Sequence, residues 1–501
     1  MKQIVKKLVV FLLVALLASS MNIGTWSVRA EMIEKGPLTY EVKDGAVTIT
    51  AADAALSGAL EIPSTIEGYP VTALGSQAFY GCQKLTSVSI PASVVEINSS
   101  SFGSCYSLTR FDVDSANPVY CDVDGVLYNK DKTVLVRVPD HYNVTTFVIP
   151  KGVTTVANAA FFGNIVVKSV EFPNSVTVIE SQAFNFAHSL AEITLPTQLT
   201  EVAFGVFSNC IRLGKVVLPD GITSLDNYAF SGCKALVDIN IPDTVTNIGS
   251  SAFSGCSALT EITLPNSITT IGIRTFAECS SLKSITLPDS VTSISERAFF
   301  FCTSLQTVDL GSSVTNIGDE AFVGCRQLAK ISLSDTLTAI GEQAFHYCQA
   351  LTEVSIPASV TVIEAGAFSG CEKLKEIKLP SGLYTLKGDV FRNCTKLAKV
   401  TLPSSLKTVE QGVFSGCKAL TEVNYGGSVQ MKSRIDIAKE NGELTSATWH
   451  YDVVEEVQTV ERDEIKVEEG QPDWLNMVIY GGILLVAVGL IILLFRRNSE
   501  Y

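Results

Sequence analysis

Apolar side chains recur along this chain in a pattern that repeats every 23 residues. Phenylalanine occupies the same position of the pattern twelve times in succession, from Phe161 to Phe414. Leucine follows six residues after most of them, Ile or Val three residues later, then Leu or Ile, and usually Pro. The consensus unit is A-F-x-x-C-x-x-L-x-x-I-x-L-P-x-S-V-T-x-I-x-x-x. A fixed period of this length indicates a repeat architecture, in which each unit buries its apolar side chains only against its neighbours.

Each unit predicts two short strands joined by turns. The segment L-x-x-I-x-L ends in the alternation of a strand, and the proline after it stops strand pairing. V-T-x-I is a second short β-prone segment, and the residues before the phenylalanine predict one turn of α- or 3₁₀-helix. We therefore predict a parallel β-solenoid, whose twelve regular coils at about 4.8 Å spacing form a rod of roughly 55 Å. One coil's predicted core includes Phe253, Cys256, Leu259, Ile262 and Leu264.

The register breaks once, and both ends of the repeat are atypical. Phe102 and Phe161 are 59 residues apart, and the additional residues predict a β-hairpin insert at about 112–147. Turn signals at Asp124-Gly125 and at 129–132 support it. Because a solenoid needs caps, we assign residues 31–75 to an N-terminal cap, 76–426 to the repeats and 427–452 to a C-terminal cap. We expect one short helix in the latter, around Met431 to Asn441.

The two termini predict export and membrane anchoring. Residues 1–30 contain lysines, a short apolar run and small residues, as in a secretory signal peptide; an uncleaved anchor is the alternative. The uncharged run Met477–Phe495, followed by two arginines, predicts a transmembrane helix over 476–495 and a cytoplasmic tail over 496–501. Residues 453–475 are predicted to be an acidic stalk. The predicted protein is exported and crosses the membrane once, with its repeats outside.

The repeat resembles the BspA-like, treponemal-type leucine-rich repeat family. Phe, Cys, Leu, Ile, Leu-Pro and S-V-T-x-I recur in register over roughly residues 57–426, and the insert contains a similar "DGVLYNKDKT" segment. The resemblance implies a curved parallel β-solenoid on a bacterial or protozoan surface. It also implies adhesion to host matrix proteins or to other cells.

The thirteen cysteines raise the question of disulfides or metal sites. All except Cys121 follow a phenylalanine of the pattern by three residues, so neighbouring coils bring them within disulfide range. Their parallel Cβ directions disfavour bridges, and the same position is occupied by Asn164 and Ala187. We predict reduced, buried cysteines that behave as small apolar residues, with no disulfide and no metal site. Cys121 has no place in the pattern and is expected to be exposed.

Charge and motif content disfavour several function classes. A net charge of -14 disfavours nucleic-acid binding. The chain has four histidines and lacks the HExxH, GxSxG and GxGxxG motifs, so we predict no catalytic residue, no cofactor and no enzyme activity. Calcium binding by Asp112, Asp114, Asp122 and Asp124 remains an alternative to solvated turns, although their spacing does not match an EF-hand loop.

Binding is therefore expected at exposed positions. One candidate is the polar face of the main sheet, with the alternative of a merely solvated sheet: Glu192, Lys215, Asp238, Glu261, Lys330, Glu353, Glu376 and Lys399. The second is an aromatic patch in the turns, for which we favour core packing: Phe301, His346 and Tyr347. The predicted function is adhesion to an extracellular protein or a cell-surface ligand. The alternative is a passive spacer of the cell envelope.

Overall fold

A computed structural model of the protein describes residues 32–452, with side chains from Gly36 onward. The predicted signal peptide, acidic stalk, transmembrane helix and cytoplasmic tail lie outside the described residues. Between residues 32 and 452, no helix combines the length and apolar character needed to cross a bilayer.

The N-terminal residues form a meander that closes the first coil. Its strands and those of the first two coils are β1 (Met32–Lys35), β2 (Leu38–Lys43), β3 (Ala46–Ala52), β4 (Ser57–Glu61), β5 (Thr65–Ile66), β6 (Tyr69–Leu74), β7 (Lys84–Ile90), β8 (Glu96–Ile97) and β9 (Arg110–Val113). β1, β2 and β3 pair antiparallel, whereas β3 and β6 pair in parallel. β4, β7 and β9 also pair in parallel. The antiparallel strands thus cover an edge of the parallel stack, which would otherwise be open to pairing.

An antiparallel hairpin interrupts the coils after β9. β10 (Tyr120–Val123) and β11 (Val126–Asn129) enclose the turn Asp124-Gly125, whose two residues have φ of 52° and 84°. Positive φ at both positions characterises the two-residue turn that best fits a twisted hairpin. β12 (Val134–Arg137) returns antiparallel to β11, and β13 (Thr146–Val148) and β14 (Thr155–Val156) follow. Because β12 pairs in parallel with β14, the insert is continuous with a sheet of the solenoid.

A buried ion pair fixes the joint between the insert and the coils. Nη2 of Arg137 donates to Oδ1 of Asp140 at 2.6 Å and to the carbonyl oxygens of Phe102 and Phe162 at 3.1 and 2.8 Å. Oδ2 of Asp140 accepts a hydrogen bond from the backbone N–H of Cys105 at 2.8 Å. Burial raises the pKa of Asp140 to about 6, although Arg137 and the Cys105 N–H each lower it. The pair therefore ties together three successive turns of the chain.

Each later coil contributes to two parallel sheets. The remaining strands of the repeats are β15 (Ser169–Glu171), β16 (Val178–Ile179), β17 (Glu192–Thr194), β18 (Glu201–Val202), β19 (Lys215–Val217), β20 (Ser224–Leu225), β21 (Asp238–Ile239), β22 (Asn247–Ile248), β23 (Thr270–Ile271), β24 (Ser284–Thr286), β25 (Ser293–Ile294), β26 (Thr307–Asp309), β27 (Asn316–Ile317), β28 (Lys330–Ser332), β29 (Ala339–Ile340), β30 (Val362–Ile363), β31 (Glu376–Lys378), β32 (Thr385–Leu386), β33 (Lys399–Leu402), β34 (Thr408–Val409) and β35 (Glu422–Tyr425). Partners are 23 residues apart, as in Ile193 with Val216 and Val202 with Leu225. The predicted parallel β-solenoid of 23-residue coils is confirmed.

The main sheet is not continuous along the repeats. In the main sheet, residues 260–264 and 352–356 form no strand, which divides it between β21 and β24 and between β28 and β31. The second sheet is divided between β16 and β18, between β22 and β23 and between β30 and β32, and the main sheet is also divided between β15 and β17. The turns remain continuous across the two strandless segments, since Phe253 N donates to Thr275 O at 2.9 Å and Phe345 N to Ala367 O at 2.7 Å. The coils are thus held at these two segments mainly by their turns and their core.

The predicted helical turn before each phenylalanine is also wrong. In the coil of Phe253, the backbone forms successive tight turns, such as Ala252 N to Gly249 O at 3.2 Å and Cys256 N to Phe253 O at 3.1 Å. Ser251 and Gly255, two residues on either side of Phe253, have φ of 56° and 75°. Residues in this left-handed region do not continue a right-handed helix. The chain therefore turns twice around each phenylalanine and forms no helix there.

Stacked phenylalanines form the spine of the core. Successive rings from Phe161 to Phe414 lie 4.6–5.7 Å apart between centroids and are tilted by at most 19°. Phe253, Cys256 and Leu259 are fully buried, and Leu264 nearly so. Ile262, predicted to be inside, is only partly buried. It lies in the first strandless segment of the main sheet, where no strand pairing presses it onto the core.

The C-terminal cap differs from the prediction. It contains α1 (Val429–Lys432), β36 (Asp436–Ile437), α2 (Gly442–Ser446) and β37 (Thr448–His450), so the single helix expected around Met431 to Asn441 is wrong. Two one-turn helices flank a strand instead. The Ser428 hydroxyl accepts a hydrogen bond from Met431 N at 3.3 Å and starts α1. β36 and β37 pair with β34 and β35 and extend both sheets by one strand.

Candidate functional site: the turn edge

The cysteines form a hydrogen-bonded column inside the solenoid. Cys256 Sγ donates to the carbonyl oxygen of Phe230 in the preceding coil at 3.2 Å, and Cys279 Sγ donates to Phe253 at the same distance. The contact recurs for Cys105 and from Cys210 to Cys417, at 3.0–3.3 Å. Burial raises the pKa of Cys279 to about 12, so its thiol stays protonated. Protonated thiols neither attack substrates nor ligate metals.

One of the two exceptions in the cysteine column, Asn164, makes an equivalent bond, whereas Ala187 is buried without a side-chain donor. Asn164 donates from Nδ2 to Pro139 O at 2.9 Å, so its side chain also bonds the neighbouring coil. Cys121, expected to be exposed, is partly buried, and its Sγ lies 3.3 Å from Asn129 O.

Nowhere in residues 32–452 do three His, Cys, Asp or Glu side chains cluster as metal ligands would. Asp114 and Asp122, considered as calcium ligands, each accept a backbone N–H at 2.9 Å.

The predicted polar sheet face is broken and largely neutralises itself. Glu192, Lys215 and Asp238 stack in register, and Lys215 Nζ lies 3.6 Å from Asp238 Oδ2. Glu376 stacks with Lys399 in the same way, and Lys330 stacks with a threonine. The remaining two face residues, Glu261 and Glu353, lie in the two strandless segments. Opposite charges in register compensate one another, and exposed pairs of this kind contribute little free energy.

A different surface runs along the turns. We call it the turn edge and define it by the residue two positions after each stacked phenylalanine. All fourteen have φ between 56° and 79°. Seven are glycines, and the others are Ser104, Phe186, Asn209, Glu278, Phe301, Tyr347 and Asn393. Glycine and asparagine adopt this conformation readily, whereas bulky side chains there are rare and strained.

Phe301 and Tyr347 are large aromatic residues at strained, exposed positions. Their exposed fractions are 36% and 47%, so the interpretation as core packing is wrong for both. Each ring covers the glycine of the next coil, because a Cβ at Gly324 would lie 3.1 Å from Phe301 Cδ1. A Cβ at Gly370 would lie 2.7 Å from Tyr347 Cδ1. The rings are thus supported on one side and open to solvent on the other.

Polar groups lie beside Tyr347 and beside Phe300, whose ring centroid is 4.6 Å from that of Phe301. His346 is partly buried beside Tyr347, with ring centroids 3.9 Å apart, and its Nδ1 lies 3.1 Å from Ser369 O. Burial lowers the pKa of His346. Arg297 lies 5.8 Å from the centroid of the Phe300 ring, and its Nη2 donates to Glu320 at 2.6 Å. This arrangement resembles the aromatic and arginine anchors of protein interfaces.

Sequence reasoning missed a second aromatic group on the same edge. Phe186 is 39% exposed, and its ring centroid lies 5.6 Å from that of Phe162 and 5.7 Å from that of His188. Phe204 and Tyr228, three and two residues before their stacked phenylalanines, form a further exposed pair outside the turn edge, with centroids 5.6 Å apart. An alignment of the repeats already places Phe186 in the position of Phe301 and Tyr347. Half of the coils have glycine at this position, and that is the sequence signal for a left-handed backbone there.

Comparison with known proteins agrees with the fold. The family description "BspA type Leucine rich repeat region (6 copies)" matches residues 56–120, 140–260, 204–329, 246–368 and 338–435. A leucine-rich repeat protein from Bacteroides ovatus superposes with a TM-score of 0.54 at 24% identity, covering 84% of this chain and 99% of that one. A leucine rich cell surface protein from Faecalibacterium prausnitzii has 26% identity, coverages of 82% and 99%, and a TM-score of 0.44.

A shorter leucine-rich repeat protein from T. pallidum has 28% identity and a TM-score of 0.27. It aligns over 46% of this chain and 91% of its own length. Comparison with curated proteins gives no match. The family description covers most of the described coils, and the repeat that it describes is the one that stacks in the structure. The chain belongs to the BspA-type leucine-rich repeat family.

Proposed function

We propose that this chain is an adhesin, exported and held at the cell surface by one C-terminal transmembrane helix, which binds an extracellular protein or another cell. The turn edge is its binding surface. The observation that carries the proposal is the placement of Phe301 and Tyr347, two exposed aromatic residues in left-handed backbone where nine of the twelve other coils have glycine or asparagine. Strain of this kind, on the order of 1–3 kcal/mol per residue, persists where a function requires the side chain.

The sheet face is a weaker candidate. Its charges pair with one another along the stack, as Lys215 does with Asp238, and its ladder is interrupted at Glu261 and Glu353. The turn edge presents the rings of Phe301 and Tyr347, with Arg297 and His346 nearby, and aromatic residues and arginine are enriched in protein interfaces. Individual contacts of this size are weak, and many copies on one cell surface strengthen them by multivalency. The solenoid fold itself is typical of proteins that bind other proteins without catalysing a reaction.

A binding assay tests the proposal. Residues 31–473 are presented to immobilised matrix proteins and to intact host cells, and saturable binding to at least one of them is expected. If the protein binds none of them saturably, the result would favour a passive spacer of the envelope. The family membership of the chain would stand in either case, because it rests on the repeat and the fold.

A further inference from the structure

The C-terminal coils are basic on a chain that is otherwise acidic. Residues 372–418 contain nine Lys or Arg and four Asp or Glu, whereas residues 36–365 contain sixteen Lys or Arg and thirty-one Asp or Glu. Four of the lysines lie on three successive coils, and we call them the lysine cluster: Lys373, Lys375, Lys396 and Lys418. All four side chains are exposed.

The coils that carry the cluster are directly stacked. Lys396 N donates to Glu372 O at 3.2 Å, and the next strands pair in register, Glu376 with Lys399. Lys373 and Lys396 occupy the same position of neighbouring coils, which places their backbones about 5 Å apart. Lys375 is two residues from Lys373 with buried Leu374 between them, so both lysines point outward. Lys418 lies on the following coil, one position earlier in the repeat.

The cluster departs from the way this chain arranges its other charges. Elsewhere, neighbouring coils pair opposite charges: Lys215 with Asp238 at 3.6 Å, Arg297 with Glu320 at 2.6 Å and Lys387 with Glu410 at 3.7 Å. In the part of the chain that the structure describes, no carboxylate oxygen lies within 4 Å of the Nζ of any cluster lysine.

The two acids next to the cluster in sequence, Glu372 and Glu376, form no ion pair with its lysines among the described residues. Glu372 is engaged by the preceding coil, where Gln349 Nε2 donates to it at 2.8 Å. Like charges stacked on adjacent strands repel each other and destabilise the pair. Without an anion from another molecule, the charges of Lys373 and Lys396 in adjacent coils therefore repel each other.

We propose that the lysine cluster binds a linear polysaccharide that carries sulfate or carboxylate groups. Complementary charge supplies the attraction, and the row of lysines over three coils follows the direction of an extended chain. The partner must also be narrow. Beyond a Debye length of about 8 Å at physiological salt, charges are largely screened, so a thin chain on the cluster senses little of the acidic body. An anionic membrane or a DNA duplex presents a wide negative surface, which the acidic coils repel.

The site is distinct from the turn edge, and it does not depend on the adhesin proposal. Lys373 and Lys396 lie five residues after their stacked phenylalanines, beyond the left-handed position that defines the turn edge. A polysaccharide on the cluster and a protein on the aromatic rings would therefore contact different positions of the repeat.

Immobilised heparin and immobilised hyaluronan, one sulfated and one carboxylated, test the inference. The full chain is reconstituted in phosphatidylcholine nanodiscs, and binding is measured from 50 to 300 mM salt. The cluster variant is K373Q/K375Q/K396Q/K418Q. The matched control is K84Q/K168Q/K234Q/K283Q, which removes four exposed lysines from the same three repeat positions on other coils. Both variants lower the net charge equally, and thermal unfolding verifies that both remain folded.

We expect the wild type to bind at least one of the two polysaccharides, with affinity that falls as salt rises. At 150 mM salt, the affinity of the cluster variant should fall about tenfold or more, as expected when several contacts between lysines and anionic groups are lost. The affinity of the control should fall about twofold or less. Equal losses in the two variants would show a general charge effect and overturn the inference. Binding to neither polysaccharide, or stronger binding to phosphatidylserine vesicles than to both, would also overturn it. A variant of the turn edge should retain polysaccharide binding, which separates this test from that of the adhesin.

Discussion

At the scale of single residues, one position of the coil explains the cysteines and another the exposed aromatic rings. Cys256 is buried and donates to Phe230 of the preceding coil, while Asn164 makes an equivalent bond with its amide. The position selects a small inward side chain and does not require a thiolate, since buried Ala187 also occupies it. Two residues after each phenylalanine, the backbone is left-handed in every one of the fourteen coils, which favours glycine. Phe301 and Tyr347 are bulky residues at a position that favours glycine, and this makes them candidates for a functional role.

The thiols provide the first residue-scale prediction. Burial raises the pKa of Cys256, Cys302 and Cys348 well above that of a free thiol, so these buried thiols should not react with a thiol reagent at pH 8. Cys121, which is partly buried at the hairpin, should react alone or fastest. After denaturation without a reductant, all thirteen cysteines should titrate as free thiols. A count of about three or fewer would establish disulfides and reject the column of reduced cysteines.

Glycine substitutions test whether the turn-edge rings pack on the next coil. Gly370 and Gly255 have the same φ of 75°, so alanine introduces the same backbone strain at both, about 1 kcal/mol. At Gly370 the new Cβ would also lie 2.7 Å from Tyr347 Cδ1, whereas at Gly255 the nearest atom is 3.5 Å away. Urea unfolding should therefore show a larger loss of stability for G370A than for G255A, by about 1 kcal/mol or more. Equal losses would mean that the Tyr347 ring does not rest on the next coil.

At the scale of elements, hydrogen bonds in the two sheets and in the turns together connect neighbouring coils. The sheets are interrupted at residues 260–264 and 352–356, yet the turns bond every coil to the next across both interruptions. The insert is secured differently, through the buried pair of Arg137 and Asp140. Both features involve backbone pairing or burial that a repeat consensus does not encode.

Hydrogen exchange should reveal the interruptions. Amides of residues 260–264 and 352–356 lie outside the strand ladders, whereas those of β26 (Thr307–Asp309) lie in a central strand paired on both sides. We expect the amides of the two interrupted segments to exchange about tenfold faster or more than those of β26, because exchange follows local opening. Protection equal to that of β26 would indicate that the sheet is continuous in solution.

The buried pair predicts a large effect from one substitution. R137A should destabilise the protein by about 3–5 kcal/mol, since it leaves Asp140 buried without its partner. Arg392 and Asp389 form an exposed pair with the same sequence spacing, at 3.3 Å. R392A should therefore cost no more than about 1 kcal/mol. The two variants are compared by urea unfolding, and similar losses would show that the joint of the insert does not depend on this pair.

At the scale of the whole molecule, the period of 23 residues was sufficient to predict the fold, and less sufficient to predict the binding surface. Phe253, Cys256 and Leu259 recur in register, so their burial follows from the repeat alone. Glu261 and Glu353 fit the same consensus as Glu376, but the strand forms only at Glu376. That difference depends on how individual neighbouring coils pack, and a consensus of all coils does not contain this information.

The exposed aromatic residues show the same limit. Phe301 and Tyr347 are apolar, and apolarity in a repeat favours the core. Their exposure follows from left-handed backbone at that position, which the glycines of the other coils indicate only when the repeats are aligned. The lysine cluster was also visible in the sequence, but its lack of carboxylate partners required the side-chain positions.

The most direct test of the central claim compares ligand binding by two variants of the repeat domain. F301N/Y347N replaces the rings with asparagine, which Asn209 and Asn393 show to be compatible with the same position. Y384N removes an aromatic residue that is 63% exposed and lies outside the turn edge. On any matrix protein or cell type that the wild type binds saturably, F301N/Y347N should lose about tenfold or more in affinity, as expected for interface anchors, while Y384N binds as the wild type does. Undiminished binding by a folded F301N/Y347N would contradict the assignment of the turn edge as the adhesive surface.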